Sequence, residues 1–133
     1  MADGGGRNED GMEEKFNSFK NLNAWQEAIE LNKEIFSLVK LLPKEETYSL
    51  SDQMRRAAVS IPSNIAEGKG RHSVKEYSHF LSIALGSCYE LETQLYLCAE
   101  LGFIDKETTK EAADLCSEVC RLISGLIRSI ESK

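Results

Sequence analysis

From Leu22 to Ile130 the apolar residues recur every three or four positions, and only Pro43 and Pro62 interrupt the run. A side chain returns to the same face of an α-helix at that interval, whereas a half-buried strand alternates every two. No segment of useful length shows the strand period, and the sequence carries no internal repeat. The chain is therefore expected to be all-α.

The spacing predicts four helices. The first runs from about Leu22 to Leu42 and stops at Pro43. Its seam is Leu22, Trp25, Ile29, Asn32, Phe36 and Val39. A second set, Ala28, Leu31, Ile35, Leu38 and Leu42, widens the apolar arc past half the circumference, so this helix must be covered on two sides. The second helix, about Tyr48 to Glu67, has the seam Leu50, Met54, Ala57, Ile61, Asn64 and Gly68, with Gly68 placed as a C-terminal cap. Ser73 opens the third helix, and Glu76 three residues on completes a capping box. Tyr77, Leu81, Ala84, Cys88, Leu91, Leu95 and Cys98 line that helix up to Gly102. Asp105 caps the fourth, whose seam includes Ala112, Leu115, Val119, Leu122, Leu126 and Ile130. Short connections force antiparallel neighbours, which gives an up-down-up-down four-helix bundle.

Pro62 falls inside the second helix. It lacks the N–H that would bond the carbonyl of Ala58, and its ring crowds that carbonyl, at a cost of about 3 kcal/mol. Two responses are expected: a bend in the helix, and local use of the Ser60 and Ser63 hydroxyls by the freed backbone groups. Asn64 on the seam weakens packing but fixes register. Val59, Pro62 and Ala66 fall on the face opposite the seam, which suggests a subunit contact.

The chain has 133 residues, enough for one domain with a real core. Residues 1–15, MADGGGRNEDGMEEK, offer almost nothing to bury, so a disordered acidic tail is drawn over 1–18 and a bundle domain over 19–133. No apolar run approaches the roughly 18–20 residues that span a bilayer, and the N-terminus lacks a basic-then-apolar leader. A cytoplasmic protein without a membrane segment is the expectation, and Cys88, Cys98, Cys116 and Cys120 are then reduced thiols.

The net charge of −6 argues against a general nucleic-acid binder. Between Gln53 and Lys75, however, five cations (Arg55, Arg56, Lys69, Arg71, Lys75) face one acid, Glu67, so this segment is +4 and the remainder −10. With the free amides that start the third helix, these residues form a candidate site for a phosphate or for RNA or DNA.

Catalytic motifs are lacking. A di-iron bundle needs two Glu-x-x-His motifs; Glu76-Tyr-Ser-His79 is one, and His72, the only other histidine, has Lys69 three residues before it. Cys116 and Cys120 lie one turn apart, and antiparallel pairing could bring Cys88 near them, but the tight loops of structural zinc are missing. The cysteines read instead as small buried hydrophobes. No nucleophile elbow, P-loop or zinc-protease motif is present. The expectation is a non-enzyme with no metal and no cofactor.

The string LPKEETYSLSDQMRRAAVSIPSNIAEGKGR, residues 42–71, resembles the four-helix-bundle proteins encoded in intervening sequences of bacterial 23S ribosomal RNA genes. Similarity continues through YSHFLSIALGSCYELETQL and LGFI and covers about residues 19–130. The resemblance implies a four-helix bundle assembled as a ring-like homopentamer, with no established activity and no catalytic residue to carry over. The accessory proteins of diversity-generating retroelements, which use a strongly basic barrel to bind a reverse transcriptase and nucleic acid, look like distant members; this acidic chain departs from them in charge. Two functions are therefore expected to compete: an oligomeric binding or scaffolding module, and a nucleic-acid accessory protein acting through the basic segment.

Overall fold

Leu22, in extended backbone, leads into α1 (Asn23–Leu38), and α2 (Asp52–Lys69), α3 (Val74–Glu100) and α4 (Lys106–Glu131) follow. The computed structural model of the protein describes residues 19–132, so the tail expected over 1–18 lies outside the described residues. Among the described residues every regular element is helical. Each helix packs on the next, and α1 closes on α4, which makes a ring of four around one core. Leu31, Ile35, Met54, Ile61, Ile65, Leu81, Leu91 and Ile123 fill it and are completely buried. The contacts fix the direction of neighbours. On α2 and α3, Met54 meets Cys98, Ser60 meets Ser87 and Gly68 meets Phe80. Numbers rise on one helix as they fall on the other, as in antiparallel packing.

Two helices present a different stripe from the one the spacing predicts. In α1 the buried residues are Ala28, Leu31, Ile35 and Leu38 of the second apolar set, together with Ala24, and Leu42 of that set is buried beyond the helix. Most of the expected seam is the flank: Trp25, Ile29 and Asn32 are half-buried and Phe36 is exposed, while Val39, just past the helix, is buried. In α4 the inward line is Thr109, Ala112, Cys116, Val119, Cys120 and Ile123, with Leu115, Leu122, Leu126 and Ile130 packed beside it. Both helices carry apolar arcs wide enough to admit either register, and the neighbours decide.

The connection between α1 and α2 is more elaborate than a short loop. A 3₁₀ turn (Val39–Leu41), extended Leu42 before Pro43, a second 3₁₀ turn (Lys44–Glu46) and a π-helical turn (Thr47–Ser51) precede Asp52. Leu42 is extended because the residue before a proline is driven out of the helical region.

The caps at α3 and α4 fall where expected. Ser73 Oγ accepts the Glu76 N–H at 3.1 Å and donates to the Glu76 carboxylate at 3.3 Å. Asp105 accepts the Thr108 N–H at 2.8 Å. Past α3, Gly102 takes φ +74°, while Phe103 N–H reaches Cys98 O at 3.0 Å and Gly102 N–H reaches Ala99 O at 3.1 Å. That pair of bonds is a Schellman ending, and it needs the left-handed conformation glycine adopts without strain.

The Thr108 backbone N–H, and then its hydroxyl, hold the Asp105 carboxyl below the usual carboxylate range. A depressed folded pKa stabilises the fold above the unfolded carboxyl pKa, and that stabilisation is lost as pH falls through the folded value. Urea midpoints measured from neutral pH downward are therefore expected to fall more for the wild type than for Asp105→Asn, which keeps an acceptor oxygen but no titration. Parallel pH profiles would contradict this account of the cap.

Pro62 is buried inside a continuous α2. The freed carbonyl of Ala58 is satisfied from another helix: Asn32 Nδ2 on α1 donates to Ala58 O at 2.7 Å, and also to Ala28 O at 2.9 Å. Ser60 and Ser63 do not serve that purpose. Ser60 Oγ accepts from Ser87 at 2.8 Å and from Asn64 Nδ2 at 2.9 Å, and Ser63 is exposed. Asn64 sits half-buried beside this hydroxyl pair, and Ile65 takes the inward place next to it.

Gly68 is not the cap of α2, which runs on to Lys69 with Gly70 as its C-terminal cap residue. A Cβ built on Gly68 would stand 2.9 Å from Phe80 Cβ and 3.0 Å from Tyr77 Cδ1. The glycine is therefore needed for the close approach of α2 and α3.

Candidate functional site

The five cations of the Gln53–Lys75 segment divide between the two ends of α2. Arg55 and Arg56 lie in its first turns and Lys69 ends it, fourteen residues on, a rise of about 21 Å. At the first end, Arg56 Nε pairs with Asp52 at 3.2 Å, an exposed i,i+4 pair, and Arg55 is half-buried. At the second end, Arg71 pairs with Glu67 and approaches Glu76 at 3.9 Å, while its guanidinium lies 4.7 Å from the Phe80 ring centroid. Lys69 Nζ lies 5.8 Å from the Tyr77 ring centroid. Lys75 is exposed. Arg71 is therefore held by the acids at the end of α2 and the start of α3, and Ser73 and Glu76 occupy the first turn of α3, where an anion would dock.

The face expected to meet another subunit is also rearranged. Val59 is 46% exposed and Ala66 is half-buried, but Pro62 points inward and is removed from that surface. Val59 instead shares a groove between α1 and α2 with Phe36, Arg55, Arg56 and Ser60. A second groove of about 460 Å³ lies between α3 and α4, lined in part by Tyr96, Leu95 and Ala113. In a ring closed in the order of the sequence these grooves are on opposite sides. On α3, Ile83, Tyr89, Tyr96 and Leu97 are each 40% exposed or more.

One cluster in the interior has a chemistry of its own. Cys88 on α3 and Cys116 and Cys120 on α4 bring their sulfurs within 4.8 Å of one another. Cys116 Sγ donates to Cys88 O at 3.4 Å. Glu92, one turn beyond Cys88, places Oε1 3.8 Å from Cys120 Sγ and accepts from Ser117 Oγ through Oε2 at 2.7 Å. Hydrogen bonds from Cys116 and then Cys88 push the Cys120 thiol down to about 4. Cys88 is pushed up by its hydrogen bonds to Cys116 and Cys120 and by burial; Cys116 is also raised, first by its bond to Cys120. Cys98 stands apart against Met54 Sδ at 3.7 Å, pushed up to about 11 by burial and then by Glu46.

The profile of the 23S rRNA-intervening sequence proteins matches residues 20–125. The chain belongs to that family. Among solved structures it is similar to a protein of unknown function from the S23 ribosomal protein family of Bacteroides thetaiotaomicron. The two are 27% identical with a TM-score of 0.73, over 78% of this chain and 97% of that one. No curated protein matches. The family match covers α1 to α3, α4 as far as residue 125 and the resemblance read from residues 42–71, and the family brings with it no assigned activity. Among the described residues no helix is long and apolar enough to cross a membrane.

Two arrangements here were not read from the sequence. The partner of Ala58 O is Asn32, for which the available signal was a polar residue on an otherwise apolar stripe. Glu92 joins the thiols because Cys88–Glu92 and Cys116–Cys120 are both i,i+4 pairs, and such pairs share a face.

Proposed function

We propose that this protein is a non-enzymatic cytoplasmic scaffold that works as a closed ring of identical bundles. The observation that carries the reading is the uncovered flank of α1. Its apolar arc is wider than one core requires, and Phe36 remains 40% exposed beside Val59. The groove between α3 and α4, with Tyr96 on its edge, lies across the protomer from it. Two different apolar faces are what a head-to-tail contact needs, since the front of one copy must meet the back of the next.

Magnitudes favour joining the two faces over using either alone. Fully burying one large apolar side chain stabilises by about 1.5–3 kcal/mol. These side chains are already partly covered, so Phe36 and Val59 by themselves fall short of an association cost of about 4–15 kcal/mol. Adding Tyr89 and Tyr96 of the next copy, which share a face seven residues apart, brings the contact to the lower end of that range. A count of five is what the resemblance to the family implies. Arg55 and Arg56 border the first face, where they can pair with acids of the neighbour.

Light scattering coupled to size exclusion is expected to give about five times the 14.9 kDa chain mass. Phe36→Glu and Tyr96→Glu, on opposite faces, should each shift the mass toward monomer. A wild-type monomer at tens of micromolar would remove the proposal.

A further inference from the structure

We propose that Cys88, Cys116, Cys120 and Glu92 form a tetrahedral site for Zn²⁺ between α3 and α4. An i,i+4 pair on each of two packed helices brings three sulfurs together, with Glu92 at the edge beside Cys120. The three sulfurs are within 4.8 Å of one another; bonds of about 2.3 Å to a tetrahedral zinc set sulfur–sulfur spacings near 3.8 Å, so the sulfurs need shifts of no more than about 1 Å. The fourth corner falls to Glu92, whose Oε1 stands 3.8 Å from Cys120 Sγ, outside the sulfur trio, and turns further in to close the site. Ser117 holds the other carboxylate oxygen at 2.7 Å, the kind of outer contact that aims a metal-binding carboxylate.

The donor set selects the ion. Three thiolates and one carboxylate suit a borderline cation in tetrahedral geometry, whereas Cu(I) is favoured by soft sulfur donors alone and Ca²⁺ or Mg²⁺ by oxygen. Burial keeps competing water from the sulfurs: Cys88 and Cys116 are fully buried and Cys120 is 8% exposed. Glu92 borders the groove between α3 and α4, which gives the ion a path inward. As the ion enters, thiol protons leave to the buffer and each freed sulfur lone pair forms a bond to it.

Co²⁺ serves as the spectroscopic probe, titrated into reduced, metal-free full-length protein. The expected result is one Co²⁺ per chain, with the intense visible bands of tetrahedral coordination and a sulfur-to-metal charge-transfer band, displaced by one equivalent of Zn²⁺. Cys120→Ser should weaken binding at least about tenfold, a loss that even outer-shell changes produce. Cys98→Ala should keep full stoichiometry, because that thiol lies against Met54. Should Cys120→Ser fail to fold, Glu92→Gln at the groove edge carries the same test. The site is overturned if the protein with four titratable thiols shows no tetrahedral Co²⁺ spectrum at tens of micromolar. Uptake of Cu(I) without Zn²⁺, or a Cys88–Cys116 disulfide forming in place of metal uptake, overturns it equally.

Discussion

Replacing Asn32 with leucine is expected to destabilise the protein by about 1–3 kcal/mol, the cost of leaving a buried acceptor without its donor. The acceptor is the carbonyl of Ala58, whose residue is fully buried and whose helical partner is missing because position 62 is proline. Leucine fills a similar volume, so the loss is assignable to the hydrogen bond rather than to a cavity. The decisive comparison is a double-mutant cycle with Pro62→Ala. Alanine at 62 restores an N–H that can reach Ala58 O within α2, so Asn32→Leu should cost less in that background. A coupling of about 0.5–3 kcal/mol is the range for residues sharing one network. Urea titrations at one fixed protein concentration give all four corners, since oligomerisation makes apparent stability depend on concentration. Equal costs in the two backgrounds would show that Asn32 acts through something other than the proline's vacant bond.

The proline also shows what can be read from one dimension. Its position, the carbonyl it frees and the need for compensation are local facts, fixed by the covalent structure of residues 58–62. The compensating group comes from residue 32, and the donor could be identified only once α1 was placed against α2. The same division runs through the chain. Ser73 and Asp105 cap their helices as expected because the donor and acceptor are three residues apart. The stripe that α1 buries was not decided by periodicity, because Leu22–Trp25–Ile29 and Ala28–Leu31–Ile35 both repeat at helical intervals and only packing separates them. The +4 segment is a similar case: proximity in sequence became some 21 Å along α2, and two acids took up Arg71. The thiols reverse the pattern. Each was read correctly as buried, yet their meeting depends on the pairing of α3 with α4, and Glu92 enters only through that pairing.

Gly68→Ala is expected to destabilise by about 1–3 kcal/mol, the usual range for overpacking, although alanine is the better helix former by about 1 kcal/mol. The opposing contributions can be ranked from the contacts. A methyl at 68 would stand 2.9 Å from Phe80 Cβ, 3.0 Å from Tyr77 Cδ1 and 3.2 Å from Tyr77 O. Two of these are a Cβ and a backbone oxygen, which cannot swing aside as the end of a long side chain can. Relief therefore requires α2 and α3 to separate, which loosens the Ser60–Ser87 contact farther along the same pair. Gly86, in the exposed middle of α3, is the matched control: nothing in the protomer lies within 4 Å of its added Cβ, so in the monomeric Tyr96→Glu background Gly86→Ala should stabilise by about 0.5–1 kcal/mol through propensity alone. Urea midpoints that move in opposite directions for the two variants are the predicted outcome. A stabilising Gly68→Ala would mean that the end of α2 is free to move away from Phe80, and that Gly68 serves only the local geometry of its own helix.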